Sequence, residues 1–131
     1  MKPIQTPNAP QPGGHYAQAI VHNGLVYISG QLPIDPQTRE RSRGGMQVQT
    51  ELVLSNLAAI LQAAGSSPDR VLQTTVYISD INLWDRVNEV YGRFFGDHRP
   101  ARTIIPTREL HFGALIEMDA IAAVAEPTST E

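Results

Sequence analysis

Apolar positions in this chain switch between two periods, and the switches mark out its elements. Tyr16 to Val21 and Leu25 to Ser29 are short apolar runs joined by His22-Asn23-Gly24. Asn23 and Gly24 both tolerate the positive φ of a tight turn, so the pair predicts an antiparallel hairpin. Gln31 to Gly45 holds Pro33, Asp35-Pro36, several arginines and Gly44-Gly45 with no sustained period. It reads as a surface excursion of a length often put to functional use. From about Met46 the spacing turns helical: Val53, Leu57, Ile60, Leu61 and Ala64 recur at intervals of three and four, and Gly65 supplies a left-handed C-terminal cap before Ser66-Ser67-Pro68-Asp69. Val71 to Ser79, VLQTTVYIS, is rich in β-branched and aromatic residues and predicts a strand. A second helical stripe follows in Leu83, Val87, Val90, Tyr91, Phe94 and Phe95, with Asp80 or Asn82 placed to cap its start and Gly96 to end it. Ala101 to Thr107, bounded by Pro100 and Pro106, and the longer Leu115 to Ala125 complete the set as strands.

The predicted order is ββαβαββ, an α+β fold with two helices on one face of a mixed sheet. No repeat or linker divides the chain, so residues 1–131 are expected to form a single domain. The polar, proline-rich residues 1–13 are expected to be a flexible arm and residues 126–131 a flexible tail.

Composition narrows the function. With 131 residues and 41% hydrophobic content there is material for one real core and not for two. Ten Lys and Arg against 13 Asp and Glu give a net charge of -3, which argues against a protein that grips nucleic-acid phosphates. The absence of cysteine removes disulfides, thiolate metal sites and cysteine nucleophiles together. The first dozen residues lack the apolar core of a signal peptide, and Glu117 and Asp119 interrupt the longest apolar stretch far short of a membrane span, so a cytoplasmic home is the expectation. Histidines at 15, 22, 98 and 111 do not cluster on one element and read as loop and surface residues; no metal and no cofactor is expected.

The candidate chemistry lies in polar residues within apolar elements, where an ionised group is costly unless paired or used. Glu117 and Asp119 share one side of their strand with Leu115 and Ile121, while Ile116, Met118, Ala120, Ala122 and Val124 take the other. A partly solvated sheet face is the simpler reading and a functional carboxylate the sharper one. Arg102, in a short strand, offers a planar fork that grips a carboxylate through two parallel hydrogen bonds; its ordinary alternative is a salt bridge to Glu117 or Asp119. Ser29-Gly30 could present a hydroxyl and a backbone N–H to a ligand, or Gly30 could serve only a turn. Tyr16 and Asn88 carry weaker signals.

Several blocks coincide with a family pattern. They are Tyr16-Ala17-Gln18-Ala19, Tyr27 to Pro33 with Asp35-Pro36, Asn56-Leu57 through Ala63-Ala64-Gly65, Thr74-Thr75-Val76, Val87-Asn88 with Tyr91, Pro100-Ala101-Arg102, and Ile116-Glu117 followed by Asp119-Ala120. From Tyr16 to Val124 the chain resembles the Rid family of reactive-intermediate deaminases, also called YjgF-like or endoribonuclease L-PSP. The resemblance implies a chorismate-mutase-like fold assembled as a homotrimer with clefts between neighbouring subunits. It also implies hydrolysis of enamines and imines such as 2-aminoacrylate to a 2-keto acid and ammonia, without metal or cofactor. By position Arg102 matches the carboxylate-binding arginine and Glu117 the glutamate that handles the hydrolytic water. Tyr16, Ser29, Gly30, Asn88 and Ile104 match or border the rest of the cleft. The chain departs from the family at His15, at Ile104 and along Pro106 to Gly113, all beside the implied cleft, which leaves the identity of the imine open.

Two other functions compete. A non-catalytic trimer binding a small carboxylate such as a 2-keto acid would use the same Arg102. A ribonuclease or translation inhibitor, as the older family label suggests, fits poorly with the acidic charge and the lack of a catalytic histidine pair.

Overall fold

The computed structural model describes residues 1–125; the expected tail lies outside the described residues. Eight elements of regular structure build it: β1 (Lys2–Ile4), β2 (Ala19–His22), β3 (Leu25–Gln31), α1 (Met46–Ala63), β4 (Val71–Ile78), α2 (Trp84–Phe95), β5 (Ala101–Pro106) and β6 (Ile116–Ala123). The strands form one sheet in the order β1-β2-β3-β6-β4-β5. β4 and β5 are parallel with α2 crossing between them, and β6 runs antiparallel to both β3 and β4. β3 and β4 are therefore parallel too, with α1 as their crossover and β6 inserted between them. The fold is the mixed sheet with two helices that the periodicity predicts.

Local chemistry explains the boundaries. Asn23 and Gly24 take φ of 52° and 78°, the two positive values that a two-residue hairpin turn needs. α1 ends with Gly65 at φ 79°, its N–H donating to the Gln62 carbonyl while the Ser66 N–H reaches back to Leu61, the paired bonds of a glycine-stopped helix. Asp80 accepts from the Asn82 N–H and so caps the short turn leading into α2.

One expectation fails at the N-terminus. Residues 1–13 are not a free arm: Lys2 to Ile4 pair with β2 as an edge strand, and Ile4 and Ala9 are buried, so the order is βββαβαββ. The anchor is Gln18, whose buried amide accepts from the Thr6 N–H at 2.7 Å and donates to the carbonyls of Thr6 and Pro10 at 3.1 and 3.0 Å. A side chain 12 positions away thus replaces the local pattern that would announce a strand.

Alternation on β6 divides the sheet into two faces. Ile116, Met118, Ala120 and Ala122 are buried under the helices with Val53, Leu57, Ile60, Val76 and Val87. Glu117, Asp119 and Ile121 point to the opposite, open face, where register brings Tyr77 beside Glu117, Thr75 beside Asp119 and Tyr27 beside Ile121.

Candidate active site

Two groups of polar residues stand at the sheet, one on each face. On the helix side, Arg102 is registered with Thr74, a residue wholly buried beneath α2, and so faces that helix. Its guanidinium donates to the Asn88 side-chain oxygen at 3.0 Å and lies 4.8 Å from the ring centre of Tyr91 and 5.8 Å from that of Trp84. Cation–π contact and one hydrogen bond hold the fork while part of its donor edge stays open. Tyr91 is fixed in turn by a 2.7 Å hydrogen bond between its hydroxyl and that of Thr74, and burial raises its pKa, so it stays a neutral phenol at physiological pH. Ile104, two residues along β5, shares this face and packs on the core edge.

On the open side, Glu117 projects from β6 against β3. A bulge between Ile28 and Gln31 swings Ser29 and Gly30 out of regular pairing. A Cβ on Gly30 would overlap the Glu117 carboxyl, so a glycine is needed here for close approach and not for its backbone angle. Ser29 donates its hydroxyl proton to the Ala17 carbonyl at 2.6 Å, tying down the segment that carries Tyr16. The Tyr16 hydroxyl accepts from the Gly13 N–H at 3.3 Å. Burial raises the Glu117 pKa above its ordinary 4.5; His111 opposes the shift, and the neighbouring Asp119 adds to it. Asp119 accepts from the Tyr77 hydroxyl at 3.1 Å.

The sequence-predicted residues therefore fall into two groups. Tyr16, Ser29, Gly30 and Glu117 gather on the open side, and Asn88, Arg102 and Ile104 on the helix side. The suggested ion pair between Arg102 and Glu117 or Asp119 does not form: opposite faces and two strand spacings, about 10 Å of sheet, separate them, and Asn88 is the partner of Arg102 instead. Trp84 escaped the sequence reading, although with Asn88 and Tyr91 it repeats at i, i+4 and i+7 along α2, one helical face aimed at Arg102. Arg41 also escaped it, having no periodic signal; it lines a cleft beside Gly30 with His111 and Phe112, which the sequence marks only as part of the divergent stretch Pro106 to Gly113.

The Endoribonuclease L-PSP family model matches residues 6–124. The chain belongs to that family, the Rid or YjgF-like proteins. A RutC family protein of Pyrococcus horikoshii is 46% identical over 119 residues, covering 91% of this chain and 94% of that one. Among solved structures, the Rid family protein YyfA of Yersinia pestis superposes with a TM-score of 0.92 at 40% identity, covering 94% of this chain and 98% of its own. TdcF of E. coli, solved with bound serine, gives 0.91 at 37% identity over 95% and 100%. Among this Rid protein's described residues no helix is long and apolar enough to cross a membrane, and no group of three or more His, Asp or Glu side chains is placed to hold a metal ion.

Proposed function

We propose that the chain is a cytoplasmic hydrolytic deaminase of reactive enamines and imines of the 2-aminoacrylate type, acting as a single-domain homotrimer whose clefts lie between neighbouring copies. The observation that carries this reading is the division into half-sites: a clamped guanidinium with a free donor edge on one face and a proton-accepting carboxyl with a raised pKa on the other. A second copy that lays its Arg102 face against the Glu117 face of the first completes a site that neither copy completes alone.

In such a cleft Arg102 takes the substrate carboxylate in a bidentate, charge-assisted contact and so fixes the imine carbon. An imine carbon is already electrophilic, and the enzyme has only to place a water and move protons. Glu117 accepts a proton from the water as its oxygen bonds to the carbon, and the nitrogen takes up a proton. Glu117 then returns its proton to the amino nitrogen, the C–N bond breaks with its electron pair leaving on ammonia, and the hydroxyl gives up its proton as the 2-keto acid's C=O forms. Neither cofactor nor redox partner enters this balance. Serine bound to TdcF is a three-carbon carboxylate of the size this mechanism requires.

The test couples the protein to a dehydratase that releases 2-aminoacrylate from serine and follows 2-keto acid formation. Wild type is expected to accelerate the step, and Arg102→Ala and Glu117→Gln each to abolish the acceleration. No acceleration by wild type, with 2-keto acid binding retained, would establish the non-catalytic carboxylate-binding trimer in its place. Strongly salt-dependent RNA binding would revive the ribonuclease reading.

A further inference from the structure

The excursion between β3 and α1 and the turn before β6 close around a cleft of about 520 Å³, within the range of small-molecule sites. Tyr16, Gly30, Arg39, Arg41, His111 and Phe112 line it. Gly30, the residue pressed against the Glu117 carboxyl, is part of this lining, so the cleft lies beside the proposed reaction centre. The part of the lining that holds Arg39, Arg41 and Phe112 is basic and strained. Arg39 and Phe112 take φ of 65° and 63°, the left-handed region that bulky side chains avoid. Phe112 is 54% exposed, and the Arg41 guanidinium stacks over its ring at 3.5 Å from the centre. Stacking occupies the face of a guanidinium and leaves its N–H edge open to an anion. Among the described residues, no carboxylate lies within 4.0 Å of either arginine's charged end. Asp35 also lines the cleft, but its Oδ1 accepts from the N–H groups of Gln37 and Thr38 at 2.8 and 3.1 Å and serves its own turn. Glu40 lines the adjoining surface with both arginines and not the cleft itself, whose own lining sets two guanidinium groups against one carboxylate.

We propose that this cleft is a second-anion subsite, in which Arg41, stacked on Phe112 and flanked by Arg39, holds a distal carboxylate of the substrate while the reacting carbon lies at Glu117. The inference rests on the deaminase reading and extends its substrate class to 2-imino acids that carry a second carboxylate on a short chain, which the subsite favours. The reaction itself is unchanged: water adds across C=N, ammonia leaves, and a keto dicarboxylate results.

Two 2-keto acids of equal chain length, 2-oxoglutarate and 2-oxopentanoate, differ only in the distal carboxylate and serve as the probes. In calorimetric titration wild type is expected to bind 2-oxoglutarate about tenfold more tightly, a preference that shrinks with added salt. Arg41→Gln is expected to bring the ratio close to one, with Arg39→Gln intermediate. Equal affinities in wild type, or a preference that survives in both variants, would overturn the subsite. The corresponding imines, released in situ from glutamate and norvaline by an amino acid oxidase, separate this failure from that of the deaminase reading. Hydrolysis of both imines with equal keto-acid affinities removes the subsite and keeps the deaminase. Selective binding of 2-oxoglutarate with hydrolysis of neither imine keeps the anion subsite and removes the deaminase.

Discussion

Glu117 concentrates the chemistry of the open face in one ionisable group. In the unfolded chain it titrates near 4.5, and burial, only partly offset by His111, raises that value on folding. A raised carboxyl pKa means that the folded state binds the proton more tightly. Its contribution to stability is therefore fully present below about pH 4.5 and is lost as pH rises through the folded value. Glu117→Gln removes the cost of holding the ionised form, so the variant is expected to melt above wild type at pH 7 to 8, with the difference closing as pH falls below 4.5. A melting difference that did not change with pH would show that ionisation is not its source. Gly30 tests the same carboxyl from the other side. Alanine there meets the flexible end of Glu117 and not the backbone, so the fold tolerates it by letting the carboxyl swing away. If Glu117 handles the water as proposed, Gly30→Ala is expected to lose turnover by about tenfold or more with stability nearly intact, since displacing a catalytic group by an ångström is costly to rate. Thermal melts read beside initial rates check it, and an equal loss in both would point to a structural role.

At the scale of elements, legibility followed the reach of the pattern. α1 and α2 announce themselves because Val53, Leu57, Ile60 and Leu61, then Val87, Val90 and Tyr91, satisfy a local period, and all are buried as it requires. β6 shows both its faces in its own alternation, and the carboxylates on its open side could be picked out before any coordinates. β5 could not be read this way. It is an edge strand without clean alternation, so the facing of Arg102 is set by register with β4 and by cover from α2, neither of which is local. β1 was invisible for the same reason, since three residues before a proline-rich stretch have no period and depend on Gln18. Gln18→Ala leaves the Thr6 N–H and the Pro10 carbonyl without their partner, while Gln11 still donates to the Thr6 carbonyl at 3.0 Å, at an expected cost of about 1–3 kcal/mol. Hydrogen exchange is expected to quicken at residues 2–10 while amides of β4 and β6 stay protected. Unchanged protection at Ile4 would show that strand pairing alone holds the segment.

For the whole molecule the decisive feature is that one chain holds Arg102 and Glu117, the two halves of the proposed site, on opposite faces of its sheet and cannot bring them together. Tyr27, 44% exposed, and Ile105, 39% exposed, lie on the same open face as Glu117, an apolar surface suited to cover by another copy. Two different faces meeting head to tail close into a ring when the rotation between copies closes, and the proposed trimer is such a ring. Arg102→Ala chains keep Glu117, and Glu117→Gln chains keep Arg102. Were the site built within one chain, mixing the two inactive variants would restore nothing. In a ring of three, every mixed assembly has one cleft where an intact Arg102 faces an intact Glu117. Random co-assembly of equal amounts makes about three rings in four mixed, each with one good cleft of three, so about a quarter of wild-type activity returns. The variants are unfolded together, refolded, and assayed against each variant refolded alone, with sedimentation verifying the same assembly state throughout. Recovery near that fraction places the site between copies. Its absence, with hybrid rings demonstrably formed, would mean that Arg102 and Glu117 do not serve the same cleft.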